Sequence, residues 1–272
     1  MRTDLHNHTC HFSPDAKMTI EKLISTALKR HLDIVAITEH FEYDNPDPTD
    51  PIQTFDLDEY SETFRKWRKL CPPRLQLLQG VEFGYQTHTA SAIDQFALHK
   101  DLDIVILSNH LFRGVDLFFS KEAYFLSSID RNREYMATMA EMAEKVDNFD
   151  VAAHFDYVNK FNPNPDDEIL YQHCPKEFDR FFEALISKEK ALEINTATPV
   201  KRHSKPDPEI LKRYMQMGGK LFTLGSDAHI PQNLGTAIPE FSLYLQSLGI
   251  EEVCYFKRHR IYTVPLDERS AR

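Results

Sequence analysis

The sequence predicts an α/β fold on a parallel sheet, most economically a barrel of seven strand–helix units, on three observations. Short β-branched runs alternate along the whole chain with longer stretches of helical period. The alternation needs crossover connections, which parallel strands require. Every strand-like run also ends in polar, chemistry-bearing residues, as the carboxyl ends of strands do where a parallel α/β fold builds its site. An open doubly wound sheet is the alternative architecture.

Taken in order, the strand-like runs are 2–6, 33–38, 75–82, 103–108, 150–154, 191–195 and 220–225, with a final apolar segment at 260–265 that closes or flanks the sheet. Between them the apolar spacing predicts helices. The first places Ile20, Leu23, Ile24, Ala27 and Leu28 on one face behind Thr19 as N-cap. Others run over 57–70, 90–99, 131–146, 176–187, 208–217 and 239–248, and Gly218-Gly219 stops the sixth before its strand. The Pro/Asp-rich stretch 43–54 and the polar stretch 159–167 read as long loops. With no repeat, low-complexity tract or linker, one domain over residues 1–272 is expected.

Composition narrows the function classes. The chain has 272 residues, 42% of them apolar, enough for a sizeable core. It starts without a signal-like apolar region and holds no run long enough to span a bilayer, so no membrane partner is expected. The four cysteines, Cys10, Cys71, Cys174 and Cys254, form no CxxC pair and read as reduced thiols of a cytoplasmic protein. A net charge of −10 without a basic run argues against tracking a nucleic-acid backbone.

The strand ends carry the functional information. They read His6-Asn7-His8, Thr38-Glu39-His40, Gly80-Val81-Glu82, Ser108-Asn109-His110, His154-Phe155-Asp156, Glu193-Ile194-Asn195 and Gly225-Ser226-Asp227-Ala228-His229. Residues i and i+2 of a strand share a face, so His6 and His8 point together. One such His is usually an ordinary loop residue. Seven strands delivering imidazoles and carboxylates to one rim would carry a large desolvation cost without a cation, and divalent metals favour such N/O donor sets.

These motifs, in order over residues 4–229, resemble the PHP (polymerase and histidinol phosphatase) family of metal-dependent phosphoesterases. The start DLHNHT with HFSPDA, and the segment SNHLFRG, are similar to its stand-alone L-histidinol-phosphate phosphatases. The resemblance implies a distorted (β/α)7 barrel and three divalent metal ions, Zn, Fe or Mn. It places His6, His8, Glu82 and Asp227 on the first metal, with Glu82 bridging to a second held by His110 and His154. Asp15, His40 and His229 would hold the third. Many members carry His where this chain has Asp15, and an oxygen donor there favours a harder ion. Asn195 is a candidate ligand, or a donor behind one.

The implied reaction is hydrolysis of L-histidinol phosphate to L-histidinol and phosphate, by attack of a hydroxide bridging two cations. Asp227, Asp156 and His203 are the candidate catalytic groups, the last two as proton donors to the leaving alkoxide. Arg113, Lys160, Arg202 and His203, with Lys201 beside them, are candidates for gripping phosphate. Glu42 or Asp156 would meet the substrate's ammonium. Three alternatives stand beside this one: another small phosphate ester, nucleotide or phosphotyrosine substrate; amidohydrolase-like chemistry on a C–N bond; and a structural or regulatory metal-binding module. No carboxylated-lysine candidate supports the second, and no polymerase or nucleic-acid domain supports the third.

Overall fold

A computed structural model of the chain describes residues 1–47, 50–119, 121–164, 167–197 and 205–266. Seven parallel strands form one sheet in sequential order: β1 (Thr3–Asp4), β2 (Ile34–Phe41), β3 (Gln76–Gly84), β4 (Ile104–Ser108), β7 (Val151–Ala152), β8 (Ala191–Asn195) and β9 (Phe222–Gly225). The intervening β5 (Leu111–Phe112) and β6 (Val115–Asp116) make a small hairpin at the rim. Leu5 N–H donates to Leu224 at 2.9 Å and Asn7 bridges Ala228, so the first and last strands meet and the sheet is a nearly closed barrel. The open-sheet alternative is thereby set aside.

The helices are α1 (Ile20–Lys29), α2 (Leu57–Leu70), α3 (Ala90–Ala97), α4 (Ser128–Lys145), α5 (Pro175–Ser187), α6 (Pro208–Gln216) and α7 (Ile238–Ser247). Caps define several starts: Thr19, Asp56, Ser127 and Asp207 each accept a hydrogen bond from the first turn of their helix. Apolar faces such as Ile20, Leu23, Ile24 and Ala27 of α1 then pack on the outside of the sheet against Val35, Ile37 and their neighbours. Each fully buried Leu or Ile contributes about 1.5–3 kcal/mol.

Period-two alternation fills the barrel interior and also aims the site. Ile34, Ala36, Leu78, Ile104, Ile106 and Val151 form an apolar cluster inside the barrel. The same inward columns continue upward as Thr38 and His40 on β2, Gly80 and Glu82 on β3, and Ser108 and then His110 after β4. One alternation thus places hydrocarbon at the base of each column and ligand-type groups at its top.

The terminal segment departs from expectation. β11 (Arg260–Pro265) joins no barrel strand; it pairs antiparallel with β10 (Glu252–Lys257), a strand that sequence reading overlooked. The turn between them is Arg258-His259, both with left-handed backbone (φ 51° and 60°), where Asn-Gly would normally announce a hairpin. Cys254 and Phe256 plug the base of the barrel against the interior cluster. The ladders of β1 and β7 are shorter than predicted, because the chain leaves the sheet before His6 and His154.

Phe256 is 2% exposed, so Phe256→Ala should lower unfolding free energy by about 3–5 kcal/mol in a denaturant titration; a loss below about 1 kcal/mol would mean the hairpin does not close the base. His259 Nδ1 lies 2.9 Å from Asp150, and that hydrogen bond raises the ring's pKa against partial burial. A raised imidazole stabilises the fold below its unfolded value, near 6.5, and that contribution fades as pH climbs through the folded value. His259→Gln should therefore lower Tm more at pH 5.5 than at pH 9; an equal shift at both would exclude the charged pair.

Candidate metal centre

The side chains that the strand ends present converge on one buried carboxylate. Glu82, from β3, is 0% exposed. Its Oε2 lies 3.3 Å from His6 Nε2, 3.6 Å from His8 Nε2 and 2.8 Å from His40 Nδ1. Its Oε1 lies 3.2 Å from His110 Nε2 and 3.0 Å from His154 Nε2. Five imidazoles from four strand ends, two of them after β1, thus surround a single carboxyl group.

Asp227 forms a second focus, held with a left-handed backbone (φ 48°) just after β9. Its Oδ1 faces His8 Nε2 at 3.3 Å, His229 Nδ1 at 3.6 Å and His6 Nε2 at 3.8 Å. Its Oδ2 accepts from Lys160 Nζ at 2.5 Å. Asp15 completes a third group, 2.9 Å from His229 Nε2 and 3.6 Å from His40 Nε2, while those two ring nitrogens stand 3.2 Å apart.

The electrostatics show where positive charge is wanted. Burial opposes ionisation of Glu82, yet the neighbouring His6, His110 and His40 hold its pKa well below the ordinary range. Burial likewise works against charge on His40, but Glu82 and Asp15 outweigh it and push the ring up to about 10. His8 goes the other way: burial, reinforced by His40 and His229, keeps it neutral. Among the described residues, His6 Nε2, His8 Nε2, His40 Nδ1 and Glu82 Oε2 are buried and make no well-aligned hydrogen bond, close as they lie to one another. Unpaired lone pairs aimed at one another carry a cost that a shared cation removes. The sets His8/His40/His229, His6/Glu82/His154, His6/His8/Asp227 and His40/Glu42/His110 each gather three potential donor atoms close enough for one ion.

Carboxylates outside the ring fix the imidazoles. Glu193, on the inward face of β8, lies 2.8 Å from His6 Nδ1 and accepts from His154 N–H at 2.8 Å. Gly225 on the adjacent strand makes room for this pair, since a Cβ there would strike both Glu193 and His6. Glu42 lies 2.7 Å from His110 Nδ1. Ser13 Oγ lies 3.4 Å from His8 Nδ1, donates to Glu39 at 2.6 Å and accepts from His40 N–H. Such orienting partners are typical of metal-binding histidines. Sequence reading gave Glu193 no role and gave Glu42 to a substrate ammonium; the signal for Glu193 was its shared strand face with Asn195.

Not every candidate reaches the centre. Asn195 donates to Glu193 and accepts from Ala197 N–H, so its amide supports the Glu193 carboxylate. Arg113 sits at the exposed β5–β6 turn in a two-pronged pair with Glu134 at 2.6 and 2.7 Å, away from the cavity over the imidazoles. Asp156 is half-buried near Lys160 and is not part of that cavity's lining. Lys201, Arg202 and His203 lie outside the described residues.

The cavity has a volume of about 490 Å³. Asp15, His40, His110, Asp227 and His229 form its floor, and Lys160 stands at the edge of that floor. Phe118, Phe119, Tyr157 and Phe161 give the lining an aromatic part, and Glu42, Asp50 and Asp116 add carboxylates to it, Asp116 accepting from Phe118 N–H at 2.7 Å. No helix among the described residues is long and apolar enough to cross a membrane.

A nearly closed seven-stranded parallel barrel with this rim defines the class, and comparison gives it a family. Residues 4–197 match the PHP domain family, and the chain belongs to it. It is 29% identical over 258 residues to the "Probable histidinol-phosphatase" of Clostridium acetobutylicum, covering 94% of this chain and 97% of the relative. It is 27% identical to the histidinol-phosphatase of Lactococcus lactis, covering 96% of each. The crystal structure of a histidinol phosphate phosphatase from Lactococcus lactis, complexed with zinc, L-histidinol and phosphate, superposes with a TM-score of 0.84 at 26% identity, over 96% of this chain and 98% of that one. A structure from Listeria monocytogenes, at 18% identity and TM-score 0.73, shares the fold.

Glu193→Gln should weaken zinc affinity about 10- to 100-fold while leaving far-UV CD unchanged, measured by competition with a chromophoric chelator. An unaltered affinity would mean that His6 needs no orienting carboxylate.

Proposed function

We propose that this chain is a metal-dependent phosphomonoesterase that hydrolyses L-histidinol phosphate to L-histidinol and phosphate at a centre of three divalent cations. The observation that carries the reading is Glu82 at the middle of five imidazoles, flanked by Asp227 and Asp15. His6, His8, Glu82 and Asp227 would hold one ion, Glu82, His110 and His154 a second, and Asp15, His40 and His229 a third. Zinc is the metal named for the Lactococcus lactis complex, and iron or manganese also suit this donor set. Bound cations would supply Lewis acidity to the phosphate oxygens and an acidified water as nucleophile.

The remaining work falls to the protein's own groups. Among the described residues Lys160 is the cation in the cavity lining, and its pKa is raised, burial notwithstanding, by Asp227. It suits contact with a phosphate oxygen as a point charge. The aromatic rings and carboxylates in the cavity lining suit a flat imidazole and an ammonium, which supports histidinol phosphate over a nucleotide or a phosphotyrosine peptide. Hydrolysis breaks the P–O bond to the substrate alcohol, whose oxygen takes up a proton; Asp156, near Lys160, and His203 are the donors proposed. With no basic run for a nucleic acid, the partners of this site are a small phosphorylated metabolite and its products. We read residues 1–272 as one domain and its setting as cytoplasmic.

Metal-loaded protein should turn over L-histidinol phosphate with a kcat/KM well above that for a panel of small phosphate esters, and chelation should abolish it. Equal turnover of the panel would keep the chemistry and sink the substrate. His229→Ala should cost at least about 10²-fold in kcat with the fold intact, and unfolding without such loss in the folded fraction would favour a structural metal. Lys160→Met should lower kcat/KM by about 10- to 100-fold, mostly through KM; no change would remove Lys160 from the phosphate site.

A further inference from the structure

A second cavity lies at the opposite end of the barrel, where the β10–β11 hairpin plugs the base. It is a groove of about 870 Å³ whose walls come from the end of α2, the start of β3 and the hairpin turn. Four cations line it, Arg68, Lys257, Arg258 and Arg260, against one carboxylate, Asp103. That carboxylate is already committed: it pairs with Arg68 and accepts the backbone N–H groups of Gln79 at 3.0 Å and Arg258 at 3.3 Å. Lys257, Arg258 and Arg260 are exposed and have no acidic partner among the described residues. Four positive charges less one negative leave a local excess of three in a chain whose net charge is −10.

The backbone of the turn that carries these cations is held in place. Arg258 and His259 occupy left-handed backbone. The turn is pinned by His259 N–H to the Asp103 carbonyl at 3.0 Å and by the His259 ring to Asp150 at 2.9 Å. A conformation that disfavours ordinary side chains thus fans three long cations around one opening. The lining also has apolar members, among them Pro72 and Tyr262, whose ring stacks on Tyr255 at 5.1 Å. The Gln76 amide nitrogen, in the same lining, has no hydrogen-bond partner among the described residues. A concave site whose lining joins clustered cations to an exposed tyrosine ring two positions along the strand from Arg260 suits a ligand bearing several phosphates and a planar ring.

We propose that this basal groove binds a nucleoside polyphosphate, its phosphates on Lys257, Arg258 and Arg260 and its base against Tyr262, at a site separate from the metal centre. The test is calorimetric titration of ATP into metal-loaded protein whose catalytic cavity is saturated with L-histidinol and phosphate. One equivalent should bind, and Lys257→Gln/Arg258→Gln/Arg260→Gln should weaken it at least about tenfold, with unchanged kcat/KM in the absence of ATP. Should the triple variant not fold, Arg260→Gln alone should give a smaller loss in the same direction. Equal affinity in the variants, or no binding to the wild-type chain at millimolar ATP, would overturn the proposal. Pyrophosphate binding as tightly as ATP would overturn the ring platform at Tyr262.

Discussion

The arrangement of this molecule rests on one costly interaction, a carboxylate buried at the end of a barrel strand among five imidazoles. In a medium of low polarity, Glu82 alone would take up a proton, and the rings around it would stay neutral. Glu82 and the rings of His6, His40 and His110 hold one another charged, while burial lowers the pKa of His8 and His154, which places strong electrostatic demand in a small volume. Such a cluster lasts only where a rigid scaffold fixes every member. Each ring here hangs from a strand end or the first residues after it, and buried acids behind His6 and His110 set the orientation of those two.

The barrel meets that requirement through its layering. Hydrocarbon fills the lower interior, where the β10–β11 hairpin seals it, and the inward columns turn polar only above that layer. Glycine matters where the centre is most crowded: Gly225 leaves space for Glu193 and His6, and Gly84 leaves space for Glu42, the partner of His110. The apolar base and the charged rim are therefore parts of one pattern, in which the stability of the lower layers supports a top that is electrostatically unfavourable without its cations.

Much of this was legible in the sequence because strands have a period of two and parallel sheets gather their carboxyl ends. His6 and His8, then Asp227 and His229, announce shared faces by spacing alone, and α1 follows from its apolar period and its Thr19 cap. What stayed hidden depends on partners far apart in sequence. Glu193 meets His6 across 187 positions, and nothing local reveals that pairing. Arg113 looked like a phosphate ligand because it follows His110 by three positions, but the left-handed backbone at Arg113 and Gly114 turns it out toward Glu134 on α4. The β10 strand escaped because its turn carries Arg258-His259 rather than a recognised hairpin pair.

The central claim is that the imidazole and carboxylate cluster holds the cations that make the protein a phosphatase. Its most direct test is stepwise reconstitution of chelated protein with zinc, following bound metal by mass spectrometry and turnover of L-histidinol phosphate in the same samples. Activity should stay low at the first equivalent and reach its plateau near about three per chain. Full turnover in metal-depleted protein, or a plateau at one equivalent, would contradict the account.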